Sequence, residues 1–146
     1  MAELFQIVSE SDQEEAVRLA ASILKGGGLV AFPTETVYGI GIHMEDPVAL
    51  ARLYRLKGRP SEKPLTLHIS RLSDLERYGV DVTPEEYRLI KHLWPGPLTL
   101  ILRNRLGKTI GVRWPRHELA CRIIQQAGVP IGCPSANLSG ADPPTT

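Results

Sequence analysis

Apolar positions recur along the chain with two periods, one helical and one typical of strands. Ala16, Leu19, Ala20, Ile23 and Leu24 fall at helical spacing behind Ser11-Asp12-Gln13-Glu14, a capping box, and Gly26-Gly27-Gly28 closes that helix. The run Leu29 to Phe32 then predicts a buried strand. Asp46-Pro47, an N-cap with proline at the first helical position, opens a helix from Val48 to about Lys57 that carries Leu50, Leu53 and Tyr54. Leu65 to Ile69 predicts another strand, and Thr83-Pro84-Glu85-Glu86 caps a helix ending near Trp94-Pro95-Gly96. Leu98 to Leu102 and Thr109 to Val112 read as a strand pair across a Leu106-Gly107 turn. A last helix from about Arg116 to Gln126 leads to a short strand, Pro130 to Cys133, and a Ser/Asn/Gly/Pro loop. The alternation predicts an α/β fold: a single domain, a twisted mixed sheet flanked by helices.

Composition narrows the class. With 146 residues, 42% of them hydrophobic and 23% charged, the sequence fits one globular domain over residues 1–146. No stretch approaches the roughly 18 apolar residues of a membrane span. Met1 to Glu15 is acidic where a targeting peptide would be basic, so a cytoplasmic protein without a membrane partner is expected. Cys121 and Cys133 form no Cys-x-x-Cys pair and lack a histidine at zinc spacing, which predicts buried thiols and no metal framework.

Charge is unevenly spread. Arg52, Arg55, Lys57, Arg59, Lys63 and Arg71 share their window with Glu62 alone, and Arg103, Arg105, Lys108, Arg113 and Arg116 share theirs with no acid. Two solvated faces account for these blocks, as does a central positively charged cavity for an anionic ligand.

Candidate chemistry gathers in Phe32-Pro33-Thr34-Glu35-Thr36-Val37-Tyr38-Gly39. Three hydroxyls and a carboxylate directly after a strand suit a ligand site at a strand end, although Thr34 and Thr36 serve equally as turn hydroxyls. The glycine triplet precedes a strand rather than following one, so it is no phosphate loop, and no Walker or dinucleotide-binding glycine pattern occurs.

These residues resemble the threonylcarbamoyl-AMP synthase family, or YrdC-like domains. The resemblance rests on five motifs in the family's order: Pro33 to Gly39, Lys57-Gly58-Arg59-Pro60 with Lys63-Pro64-Leu65, Trp94-Pro95-Gly96-Pro97-Leu98-Thr99, Val112-Arg113-Trp114-Pro115, and Pro134-Ser135-Ala136-Asn137-Leu138-Ser139-Gly140. It implies an enzyme, a nucleotidyltransferase that joins L-threonine, bicarbonate or CO2 and ATP into threonylcarbamoyl-AMP and pyrophosphate, with Mg²⁺ accompanying ATP. The product would pass to a threonylcarbamoyl-transferase complex that modifies position 37 of tRNA.

By this resemblance Lys57 and Arg59 are the catalytic pair, and Arg59, Lys63, Thr109, Ser135 and Asn137 bind ATP. Thr36, His68, Arg113 and Cys133 surround threonine, with Thr34 and Tyr38 beside them. The residue types suit the task, since nucleotidyl transfer needs cations around the α-phosphate and the leaving pyrophosphate. Read alone, basic residues at a helix C-terminus complement its dipole, His68 is an ordinary strand residue and Ser135-Ala136-Asn137 is a turn. Two departures stand out. Pro143 occupies a position where the family often has serine, and the sequence stops at Thr146 where the family's domain continues, so a C-terminally incomplete domain is expected. The alternatives from other classes are a non-catalytic double-stranded RNA or tRNA-binding module and a carbamoyl-transfer domain of hydrogenase maturation.

Overall fold

The computed structural model describes residues 10–33, 38–57 and 65–134. Among them the helices are α1 (Glu10–Lys25), α2 (Pro47–Lys57), α3 (Ser73–Arg77), α4 (Pro84–Leu93) and α5 (Glu118–Ala127). The strands are β1 (Val30–Pro33), β2 (Tyr38–His43), β3 (Thr66–His68), β4 (Val80–Asp81), β5 (Thr99–Asn104), β6 (Thr109–Arg113) and β7 (Ile131–Cys133). They form one sheet in the order β1-β2-β7-β3-β6-β5-β4. Only β3 and β6 run parallel; the other pairs are antiparallel. This is the mixed α/β architecture that the hydrophobic pattern predicts.

Local chemistry explains most boundaries. At α4 the Thr83 hydroxyl accepts from Glu86 N at 3.1 Å while the Glu86 carboxylate accepts from Thr83 N at 3.0 Å, a complete capping box. Asp46 Oδ1 accepts from Val48 N at 2.9 Å and starts α2. Helix α5 stops at Gly128, whose φ of 68° is left-handed and costs glycine little. The β5–β6 turn closes on Asn104, whose amide oxygen accepts from Leu106 N and Lys108 N, each at 3.0 Å.

The first helix and strand depart from the sequence reading. Helix α1 already includes Ser11, so Ser11 to Glu14 cannot be its cap. Its buried stripe is Ala16, Val17, Ala20, Ala21 and Leu24, while Leu19 and Ile23 are only half-buried. The Leu29 to Phe32 segment is not a buried strand: β1 is the sheet's edge, and Ala31 is exposed. It pairs antiparallel with β2, which the sequence pattern did not predict. Cys121 is half-buried rather than buried, its thiol donating to Pro115 O at 3.2 Å.

Strand alternation divides the core between the two faces of the sheet. On one face α1 and α5 pack together over Ile131 and Cys133, with Leu24, Ala120, Ile123 and Ile124 between them. On the other, Leu67, Val112 and Leu102 meet Leu75 of α3, Ile90 of α4 and Trp94, and Ile42 meets Ala49 and Leu53 of α2. Each large aliphatic side chain buried there contributes about 1.5–3 kcal/mol. The helical cover is uneven, because α1 and α5 stop short of β5. There Thr99, Ile101 and Arg103 are exposed, Ile101 at 66%.

Candidate active site

Strand β3 lies between β7 and β6, and its register gathers three of the predicted site residues. His68 is level with Arg113 on the parallel neighbour β6, and Thr66 is level with Cys133 on the antiparallel neighbour β7. Residues in register share a face, so Thr66, His68, Arg113 and Cys133 lie together, on the α5 side and next to the uncovered part of the sheet. His68 and Cys133 are buried, and Arg113 is half-buried. The first motif reaches the same place through its last residue: a Cβ built on Gly39 would lie 3.8 Å from Cys133 Sγ.

The Trp94–Thr99 motif and Ile69, just after β3, brace Arg113. Gly96 N donates to Trp114 O at 2.9 Å, and Ile69 N donates to Arg113 O at 2.9 Å, fixing both sides of the β6 end. Trp94 is buried in the core and donates from Nε1 to Leu98 O at 2.9 Å, and the Arg116 guanidinium binds Pro95 O. A side chain at residue 96 would bring its Cβ within 2.9 Å of Leu93 O, so the Trp-Pro-Gly turn requires its glycine.

The electrostatics of the group are set by burial and one cation. Burial pushes the Cys133 thiol up to about 12 against the opposing pull of Arg113, so it is a neutral, inert thiol at physiological pH. His68 Nδ1 lies 3.0 Å from Thr66 O. Arg113 therefore provides a fixed positive charge beside an imidazole and an uncharged sulfur.

Thr109 lies apart from this group. It is exposed at the start of β6, level with Arg103 and four residues from Arg113, roughly 13 Å along the strand. Between them Gly111 leaves bare backbone, where a Cβ would come within 3.4 Å of Thr99 Cγ2 and 3.5 Å of Thr66 Oγ1. Gly111 thus lets the side chains of Thr66, Thr99 and Ile101 close over the middle of β6, with Arg113 toward one end of the strand and Thr109 at the other. Thr66, Thr99 and Gly111 were not among the predicted residues. Their signal is the period-two pattern Thr66-x-His68 and Thr109-x-Gly111-x-Arg113.

The remaining predicted residues, Thr34, Thr36, Arg59, Lys63, Ser135 and Asn137, lie outside the described residues, as do the side chains of Tyr38 and Lys57. Several members of the basic blocks hold main-chain carbonyls. Arg52 donates to Gly27 O, Arg105 to Glu76 O and Arg116 to Pro95 O, while Arg71 pairs with buried Asp74 at 3.4 Å. A cleft of about 330 Å³ opens at the β4–β5 edge, but Asp81, Glu86, Arg103 and Arg105 give it mixed charge, and it includes no predicted site residue.

Known proteins share this arrangement of sequence and fold. The Sua5/yciO/yrdC family model, described as "Telomere recombination", matches residues 22–146. Threonylcarbamoyl-AMP synthase of Pyrococcus abyssi is 43% identical over 148 residues, covering 95% of this chain and 44% of that protein. The Bacillus subtilis protein of the same name is 41% identical, covering 92% of this chain and 42% of the relative. The chain therefore spans less than half the length of these relatives. A solved structure of Pyrococcus abyssi Sua5 complexed with L-threonine superposes with a TM-score of 0.79 at 40% identity, over 95% of this chain and 42% of that one.

Proposed function

The chain belongs to the Sua5/yciO/yrdC family, and from that premise we propose that it is a threonylcarbamoyl-AMP synthase that uses L-threonine, bicarbonate or CO2, and ATP. The observation that carries this reading is the convergence of His68, Arg113 and Cys133 on adjacent strands, in a fold shared with a protein solved in complex with L-threonine. A guanidinium is suited to grip the amino acid's carboxylate bidentately. The un-ionised Cys133 sulfur, packed in the α1–α5 core, offers an apolar wall for a methyl group.

In this reading β6 spans the two substrates, with Arg113 at the amino acid and Thr109 toward the nucleotide. Threonine and CO2 form an N-carboxylate, one oxygen of which attacks the α-phosphorus of ATP. The bond to the bridging oxygen of the β-phosphate breaks, and pyrophosphate departs. Lys57, Arg59 and Lys63 are assigned to the phosphates because cations there stabilise the charge that spreads during transfer. Ser135 and Asn137 are assigned to ATP with Thr109. Magnesium is assigned with ATP, as the companion of its phosphates. The product would pass to a threonylcarbamoyl-transferase complex acting on tRNA.

Pyrophosphate release tests the reading. Release from ATP and Mg²⁺ should require both L-threonine and bicarbonate. Arg113→Ala should raise the threonine KM by roughly ten- to a hundredfold, equivalent to a charge-assisted contact of about 1.5–3 kcal/mol. Release that ignores threonine, or an Arg113→Ala protein with unchanged KM, would contradict it.

A further inference from the structure

Resting on the threonine-using reading above, we infer that His68 takes the proton from the substrate's ammonium group, held in the accepting tautomer by the main-chain carbonyl of Thr66. A carbonyl oxygen can only accept a hydrogen bond. Nδ1 of His68, 3.0 Å from Thr66 O, must therefore carry hydrogen. In the neutral ring Nε2 then keeps its lone pair. The contact lies within β3 itself, between residues two apart on the same face, so forming the strand sets the tautomer.

The neighbours favour this assignment. Arg113 on β6 is the charged group in register with His68, and Cys133 on β7 is the titratable group nearest in register, opposite Thr66. Arg113 has no lone pair to offer a proton, and the buried Cys133 thiol, pushed up to about 12, keeps its own. The helix over this face, α5, presents Ala120, Ile123, Ile124 and Ala127, none of which titrates. Among the described residues of this cluster, His68 is the remaining base.

An ammonium nitrogen has no lone pair and cannot attack CO2. One N–H bond breaks, its electron pair stays on nitrogen, and the proton moves to Nε2 of His68. The nitrogen pair then forms the bond to the carbon of CO2, one carbon–oxygen π pair moves onto oxygen, and the second surplus proton leaves to solvent. Zwitterionic threonine and CO2 thus give the N-carboxylate dianion and two protons, one held by His68. Thr66 is a positioning residue, since only its carbonyl acts, and it acts through the ring.

The test uses His68→Gln, whose amide can still donate to Thr66 O but has no basic nitrogen. Threonine-dependent pyrophosphate release should fall about a hundredfold at pH near 7, and the acid limb of the kcat/KM profile should vanish. A variant that keeps the wild-type rate and acid limb overturns the inference. Nitrogen NMR of isotope-labelled histidine in the wild-type chain reads the same claim without turnover. Nε2 should show the unprotonated resonance at about pH 8 and gain a proton when threonine and bicarbonate are added. An unprotonated Nδ1, or an Nε2 that ignores the substrates, overturns it. A silent wild-type pyrophosphate assay would instead count against the function reading, leaving the tautomer to be decided by NMR.

Discussion

At the scale of single residues, Cys133 shows how burial sets chemistry. Its thiol is raised from 9.0 to about 12 because the sulfur lies in the core under α1 and α5, and Arg113 only partly offsets this. The unfolded chain loses this proton near pH 9.0 and the folded chain keeps it, so the folded state binds more protons and stability falls as pH rises between 9.0 and about 12. The slope from this group is on the order of 1.4 kcal/mol per pH unit. Urea midpoints measured across the alkaline range should fall more steeply for the wild type than for Cys133→Ala. Parallel slopes would show that the thiol is not buried as described. The sequence marked Cys133, His68 and Arg113 through resemblance alone. Nothing in their spacing shows that β3 and β6 run parallel and set His68 level with Arg113, because register between segments over forty residues apart depends on tertiary packing.

At the scale of elements, α4 is the segment whose local code is most complete. Its capping box satisfies two otherwise orphaned N–H groups, and Thr83→Ala removes one bond directly and frees the partner that makes the other. The expected cost is about 1 kcal/mol, read as a lower urea midpoint with an unchanged slope, while Thr83→Ser should retain most of the stability. An unchanged midpoint in Thr83→Ala would mean that the cap contributes nothing. Strong local codes of this kind made α2, α4 and the β5–β6 hairpin legible in the sequence. Strand β2 was not legible, because Tyr38-Gly39-Ile40-Gly41-Ile42-His43 alternates isoleucine with glycine and its opening residues read as part of a binding loop. Helix α3 and strand β4, at five and two residues, are too short to show a period. Helix α1 shows the opposite error, a persuasive Ser-x-x-Glu pattern already inside the helix.

At the scale of the molecule, the candidate site lies where helical cover stops. Helices α1 and α5 bury the β7 end of one sheet face, the cover fails toward β5, and His68, Arg113 and Cys133 lie next to that boundary. The alternation of helices and strands was enough to predict a mixed sheet, but not the order that puts β3 between β7 and β6. The most direct measurement is mass spectrometry of the products formed by this chain from ATP, Mg²⁺, L-threonine and carbon-labelled bicarbonate. A threonylcarbamoyl adenylate carrying the label in its carbamoyl carbon should form in step with pyrophosphate. Pyrophosphate formed without that adduct, or an adduct without the label, would contradict the proposed function.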